Sequence, residues 1–334
     1  MKCLGYLVMA LGLVNSLWCQ SAAPDAVLDL GLSARTFSLG RAAVALSSGS
    51  NGIDENPAVS AYARQVGLNG MGVNVFGLAS YWTAGATLPL VPLWCASFQV
   101  SVFSVPGIPR HPDLASIPGQ EARRDSIRAW VARGFSTFQD RQTVLFLNLS
   151  RRWRPLVDLG WQISPFSVDI PLGMNLRWLN HTLDRERGTG YALDVGLQLR
   201  LPVSEVFARP GLGHLTLGLL VRNGAGSRMF WTTRKVETLP TEWVQGIGYE
   251  LPLQRVPVRL RALLESSSRI STRRAGLEVE LADHLAFRLG TDAGQRQVGG
   301  GLRVSAFHQI WIIDYTFSSH PLGALHHLGL EITP

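Results

Sequence analysis

Residues 191–201 read YALDVGLQLRL. Tyr191, Leu193, Val195, Leu197, Leu199 and Leu201 share one parity, and Ala192, Asp194, Gly196, Gln198 and Arg200 share the other. Strict period two puts the two sets on opposite faces of a strand. The pattern recurs in LGMNLRW (172–178), VPVRLRALLE (256–265), AGLEVEL (275–281) and WIIDYTF (311–317). Similar runs lie near 67–77, 79–90, 93–105, 141–152, 156–168, 213–223, 242–252, 283–291, 296–307 and 323–332, giving about fifteen candidate strands. Their apolar faces carry Leu, Val, Trp and Tyr, whereas the other faces carry Gly beside Asp, Glu and Arg.

A soluble β-sandwich also alternates. These strands are too many and too long for one, and their apolar residues exceed what a single two-sheet core buries. A Gly-rich polar face suits the crowded interior of a barrel. The fold class expected is therefore all-β: a single transmembrane antiparallel barrel of about 14 strands, since such chains favour even counts of strands about 9–11 residues long. Charged residues make up only 16% of the 334-residue chain and hydrophobic ones 46%, against about 25% charged in soluble domains. The net charge of +7 is not concentrated in any run, so a nucleic-acid partner is not expected.

The start of the chain reads as an export signal. Lys2 precedes the apolar run CLGYLVMALGLVNSLW, which is too short to span a membrane as a helix. Cleavage is expected near Ser21–Ala23. Cys19 is a poor lipidation site, because Leu17 and Trp18 stand where small residues are needed. The mature chain then keeps only Cys95, so no internal disulfide forms. The domain division expected is a signal peptide over 1–22, a plug segment over 23–63 and the barrel over 64–334.

The plug expectation comes from residues that do not alternate. A barrel this wide has a lumen that wall side chains alone do not fill. The stretch GLSARTFSLGRAAVAL (31–46) is small and apolar, with Arg35 and Arg41 free to pair with inward acids such as Asp194, Glu278 or Glu280. Asn56-Pro57 is a turn signal that redirects the chain from plug to first strand. Other candidate lumen polar residues are Arg177, Arg200, Arg259, Arg261, Glu280, Arg288 and Asp314. The main insertion, 107–140, holds an expected amphipathic helix with Ile127, Trp130 and Val131 on one side, as a lid, a gate or an interfacial helix.

LSARTFSLGRAAVALSSGSNGIDENPAVSAYA resembles the N-terminal signature of FadL-type outer-membrane barrels, especially the PorV/PorQ branch. The matching residues are Arg35, Gly40, Ala42, Ala43, Asn56, Pro57 and Ala58. The Ala-x-Asp-x-Gly strand at 192–196, the Asn-containing turn in LGLLVRNGAG, the Leu-Pro strand start in LPTEWVQGIGYEL and the closing HHLGLEI resemble later segments of that branch. Arg41 departs from it, standing where the family usually has a small residue, and the chain ends EITP without a terminal aromatic.

The resemblance implies a bacterial outer-membrane location and two functions. One is passage of hydrophobic small molecules, captured outside and released through a kink or bulge in the wall. The other is a non-enzymatic part in a type IX secretion system, as cargo shuttle or scaffold. The partners implied are outer-membrane lipid and lipopolysaccharide, with a hydrophobic solute or secretion-system proteins. Pro165 and Pro171 are candidates for the wall break, and 107–140 and 224–240 for partner-binding loops. An apolar tunnel leading to a gap in the wall would favour passage, and a sealed lumen the scaffold.

No nucleophile motif surrounds any of the histidines. His326 and His327, adjacent on one strand, point to opposite faces and chelate poorly. No catalytic residue, metal site or cofactor is expected.

Overall fold

A computed structural model describes residues 26–46, 52–111, 113–158, 160, 165–269 and 273–334. The expected signal peptide and its cleavage region lie outside the described residues, as do 47–51 of the plug segment. Fourteen antiparallel strands form the wall: β1 (Gly67–Val75), β2 (Ala79–Pro89), β3 (Trp94–Pro109), β4 (Thr137–Trp153), β5 (Ile170–Leu183), β6 (Glu186–Pro202) and β7 (His214–Trp231), then β8 (Glu242–Leu253), β9 (Val258–Ser267), β10 (Arg274–Leu281), β11 (Leu285–Asp292), β12 (Gln295–Ala306), β13 (Gln309–His320) and β14 (Gly323–Thr333). Each pairs with its sequence neighbours, and β14 pairs with β1 from Leu68↔Ile332 to Asn74↔His326. The wall is closed. Closure satisfies every strand edge, which is what a sheet in lipid requires.

The expected alternation sets the faces. On β6, Ala192, Asp194, Gly196 and Gln198 point inward and are buried, whereas Tyr191 and Val195 are exposed. Leu147, Leu176, Phe287, Leu289 and Leu328 are among many large apolar side chains on the outer surface. That contiguous apolar band makes this a membrane-type barrel. Among the described residues no helix is long and apolar enough to cross a membrane.

The described residues of the candidate strand at 156–168 are not in the wall. They give only a two-residue pairing, Leu156–Val157 with Phe166–Ser167. Pro155 and Pro165 flank this small hairpin and keep it from propagating.

The rim where β1 begins and β14 ends is called here the near rim, and the opposite one the far rim. The 110–136 connection rises from the far rim and carries α1 (Gln120–Arg133), none of whose residues is buried. No face of the expected lid packs on the barrel.

Inside the wall lie 26–46 and 52–63: a 3₁₀ turn at Ala26–Leu30, a short helix at Ala34–Ser38 and a second 3₁₀ turn at Pro57–Tyr62. Nearly all of this segment is buried. Two consecutive residues in the left-handed region, Gly40 (φ 66°) and Arg41 (φ 55°), reverse the chain after the helix.

Candidate functional site

The segment inside the barrel meets the wall at glycines. A Cβ at Gly173, Gly196, Gly218, Gly276 or Gly290 would overlap, respectively, Pro57, Asn56, Val44, Leu39 and Gly40 of the segment. Inward glycines therefore act as slots that let the segment's backbone lie directly on the wall. Gly40 is the reciprocal case, since its own Cβ would strike the backbone of Thr291.

The Asn56-Pro57-Ala58 motif is the clearest joint. Asn56 caps the second 3₁₀ turn, its Oδ1 accepting from Ala58 N at 3.0 Å. Its Nδ2 donates to Val44 O (2.7 Å) within the segment and to Leu197 O (3.3 Å) on β6. Pro57 occupies the first position of the turn, where its missing N–H costs nothing. The Pro57 carbonyl accepts from Asn148 Nδ2 at 3.0 Å. The turn redirects the chain and also pins it to β4 and β6.

Charged residues fill the rest of the interior as paired groups. Arg35 lies on Glu278, with Nε at 3.0 Å from Oε2 and Nη2 at 2.9 Å from Oε1. Glu278 also accepts from Arg261 and from Arg288 Nε (2.6 Å), and Arg288 Nη1 reaches Asp314 Oδ1 at 2.6 Å. Arg261 continues to Glu250 (2.7 Å) and Glu280 (2.6 Å). Arg259 meets Glu280 (3.0 Å) and Asp283 (3.1 Å), and Arg200 meets Glu250 (3.2 Å). Arg177 donates to Asp194 Oδ1 at 2.7 Å and to Asn223. Arg41 instead reaches Glu55 (3.2 Å) and Asp29 (3.0 Å) within its own segment, with Asp292 of the wall at 3.9 Å. Each named lumen arginine thus has an acid, and this array resembles mortar more than a ligand clamp.

Sequence reading missed Arg222, Glu242, Glu265 and Arg274. Arg222 donates to Glu242 (2.9 Å) and to Asp54 O (2.8 Å). Arg274 donates to Glu265 (2.8 Å), and Glu265 accepts from Val44 N (3.0 Å). All four share the inward parity of their strands, which was the available signal. Asp54 and Glu55 are adjacent and buried. Burial, and then the neighbouring Glu55, push the Asp54 carboxyl up to about 7.

Toward the far rim the interior is apolar. Val27, Leu28, Leu32 and Ile53 of the segment cluster with Met71, Tyr81, Val144, Phe146, Leu179, Ala192, Met229 and Leu239. Leu30, Phe76, Phe103 and Trp231 lie against the cluster, partly exposed. His327 is fully buried with its ring stacked on Phe37 at 3.9 Å, while His326 faces outward.

The wall is interrupted beside this cluster. Along β6 and β7 the pairing runs Tyr191↔Arg228, Leu193↔Gly224 and Val195↔Val221, with register shifts in both intervals. On the other side, β8 pairs with β7 only as far as Glu242↔Arg222, and Val236–Thr238 pairs with Arg228–Phe230. Residues 223–227 form a wide bulge, with Asn223 (φ 56°), Ala225 (φ 56°) and Gly226 (φ 69°) in the left-handed region and Ala225 and Gly226 exposed. The expected turn in LGLLVRNGAG is thus a bulge inside one strand, and the loop expected over 224–240 is strand up to Trp231. Asn and Gly read as a turn locally because both tolerate positive φ. The pairing of β7 on either side keeps the chain extended. Pro171 interrupts nothing, as it pairs with Arg152 at the near rim in an unbroken β4–β5 register.

Solved structures similar to this chain include the CymD monoaromatic hydrocarbon channel, at 10% identity, 91% coverage of this chain and 96% of that one, and a TM-score of 0.48. The Pseudomonas putida toluene transporter TodX is also similar, at 10% identity, 90% and 96% coverage and a TM-score of 0.44. The translocator domain of the autotransporter NalP from Neisseria meningitidis follows at 12% identity, 80% and 85% coverage and a TM-score of 0.25. No protein-family model and no curated protein matches the chain.

Proposed function

We infer that the protein passes hydrophobic small molecules across a bacterial outer membrane, as the resemblance to FadL-type barrels implies. The observation that carries this reading is the β7 bulge lying against the apolar cluster. Ala192 of the cluster lies on the paired strand β6 and Met229 on β7 itself, two residues past the bulge, and Leu239 N donates to Ser227 O at 3.0 Å. A solute entering past Phe76, Phe103 and Trp231 meets the apolar cluster and then, at the inner side of the bulge, the paired Arg177, Asp194 and Asn223. This bulge is the wider of the register irregularities in the described wall, the other lying at Val105–Ile108 on β3. Polar cargo would instead have to break the paired charges around Glu278. The longest connection, 110–136, marks the far rim as the outer face. The segment fills the lumen, the outcome that by itself favours a scaffold, so passage requires its upper part, Val27–Leu32, to shift while the wall and the anchored Asn56–Ala58 joint stay in place.

The test is uptake of labelled aromatic hydrocarbons and long-chain acids by cells producing the protein. Deleting Gly224–Gly226, which removes the extra residues and lets β6 and β7 pair regularly, abolishes uptake while the barrel still assembles. Uptake unchanged by that deletion rejects the bulge as exit, and no uptake of any probe rejects passage altogether. A second reading, a scaffold in type IX secretion, is favoured by α1, whose exposed Ile127, Trp130 and Val131 offer a partner an apolar contact. Lost surface-protein secretion on deleting the gene, with uptake intact, would select it.

A further inference from the structure

We propose that the near rim binds a phosphate-bearing amphiphile, its headgroup in an arginine pocket and its acyl chain across the β2–β3 turn. Two clefts meet there. One, of about 350 Å³, is lined by Tyr62 and by the turn Pro89–Trp94. The other, of about 110 Å³, is lined by Arg64, Arg152, Arg154 and Arg200 against Asp169 and Glu205. Arg64 and Arg152 line both, so the apolar and cationic halves are continuous.

The polar half is undersatisfied. Arg152 Nε, Arg200 Nε, His214 Nδ1 and the Asp169 Oδ1 acceptor are shielded from solvent and have no hydrogen-bond partner. Asp169 Oδ1 lies 3.6 Å from Arg152 Nε and 3.5 Å from Arg154 Nε, so one carboxylate is shared by two guanidinium groups. Glu250 lies on Arg200 at 3.2 Å and 3.9 Å from His214 Nδ1. Arg64 is exposed and has no ion-pair partner among the described residues. Arg152 Nε and Arg200 Nε are buried donors left unpaired, which is costly, and an anion with several acceptor oxygens satisfies them together. Planar guanidinium forks suit a phosphate, which presents more oxygens than a carboxylate.

The apolar half stands at lipid height. Leu90, Val91 and Leu93 are exposed on the turn. Trp94 carries the Arg151 guanidinium over its ring at 5.2 Å, and Trp153 is exposed on the adjacent strand. Tryptophan with arginine at a barrel rim marks the headgroup level. The occupant fitting both halves is an anionic phospholipid rather than free phosphate. This site is independent of any route through the lumen.

The test uses the full chain purified in detergent. Retention of phosphatidylglycerol and of phosphatidylcholine is measured by native mass spectrometry, and inorganic phosphate binding by calorimetry. Phosphatidylglycerol is retained preferentially. Arg64→Gln, at an exposed position that leaves the fold untouched, weakens it about tenfold, as expected for one lost charge-assisted contact. Val91→Asn, also exposed, weakens phosphatidylglycerol but not inorganic phosphate. Equal retention of both lipids, or no effect of Arg64→Gln, overturns the proposal. Inorganic phosphate binding as tightly as the lipid, with Val91→Asn silent, assigns the pocket to a free anion and overturns the acyl half.

Discussion

Gly290 shows how one residue holds the interior together. Its missing side chain lets Leu39 and Gly40 lie directly on β11. Gly290→Ala forces the segment off the wall at a point where both sides are backbone and neither can yield. The expected cost is about 1–3 kcal/mol, the range for overpacking a tight core. It reads out as a lower urea midpoint for protease protection of residues 26–63, with the wall strands unchanged. Asp54 is one residue-scale source of pH dependence. Its carboxyl is raised to about 7 by burial and by Glu55, and its Oδ1 has no hydrogen-bond partner. A carboxyl raised in the folded state favours the fold fully below its ordinary value, and that contribution is lost as pH rises through about 7. Protection of amides 52–56, taken relative to their intrinsic base-catalysed exchange rates, should therefore be lower at pH 8.5 than at pH 5.5, and Asp54→Asn should flatten the difference. An unchanged profile in the variant would assign the pH dependence elsewhere.

At the scale of elements, the β7 bulge and the helix α1 depart from the regular wall, and they do so differently. The β7 bulge is built in: Asn223 N donates to Asp194 Oδ1 at 3.0 Å and Asn223 Nδ2 to Pro240 O at 3.0 Å, so its irregular backbone is held by named partners. The helix α1 is appended, with every residue out of the core. Removing 111–135 and joining the rims of β3 and β4 with a short turn should leave barrel assembly and thermal stability unchanged within about 0.5 kcal/mol, as for surface changes generally. Heat-modifiable mobility in gels would check it. A large loss of stability would mean that α1 packs on the barrel after all. The bulge was harder to read than the helix. Arg-Asn-Gly-Ala-Gly-Ser has turn chemistry, and only the pairing of 214–222 with β8 and of 228–230 with 236–238 shows that the chain runs on.

The whole molecule is a cylinder with an apolar outside and a filled inside. The filling is bound through glycine slots and through ion pairs such as Arg35–Glu278. Full-length protein in a planar bilayer is expected to be nearly non-conducting. Protein lacking residues 26–63 should show large, persistent ion conductance through a lumen lined by Arg177, Arg261, Arg274 and their acids. Equal conductance in the two forms would show that the segment does not seal the barrel.

The sequence by itself determined the wall: period-two alternation sorts each strand's residues in or out without knowledge of any neighbour, so the barrel, its lipid face and its polar interior were readable from local pattern. It also marked residues 31–46 and Asn56–Pro57 as something other than strand. Tertiary structure decided which acid each arginine meets, which glycines receive the segment, where the wall is interrupted, and that Leu156–Val157 and Phe166–Ser167 lie outside it. Those outcomes depend on strand register and closure, which join residues as far apart as Arg35 and Glu278. Pairing across such distances leaves no periodic trace along the chain.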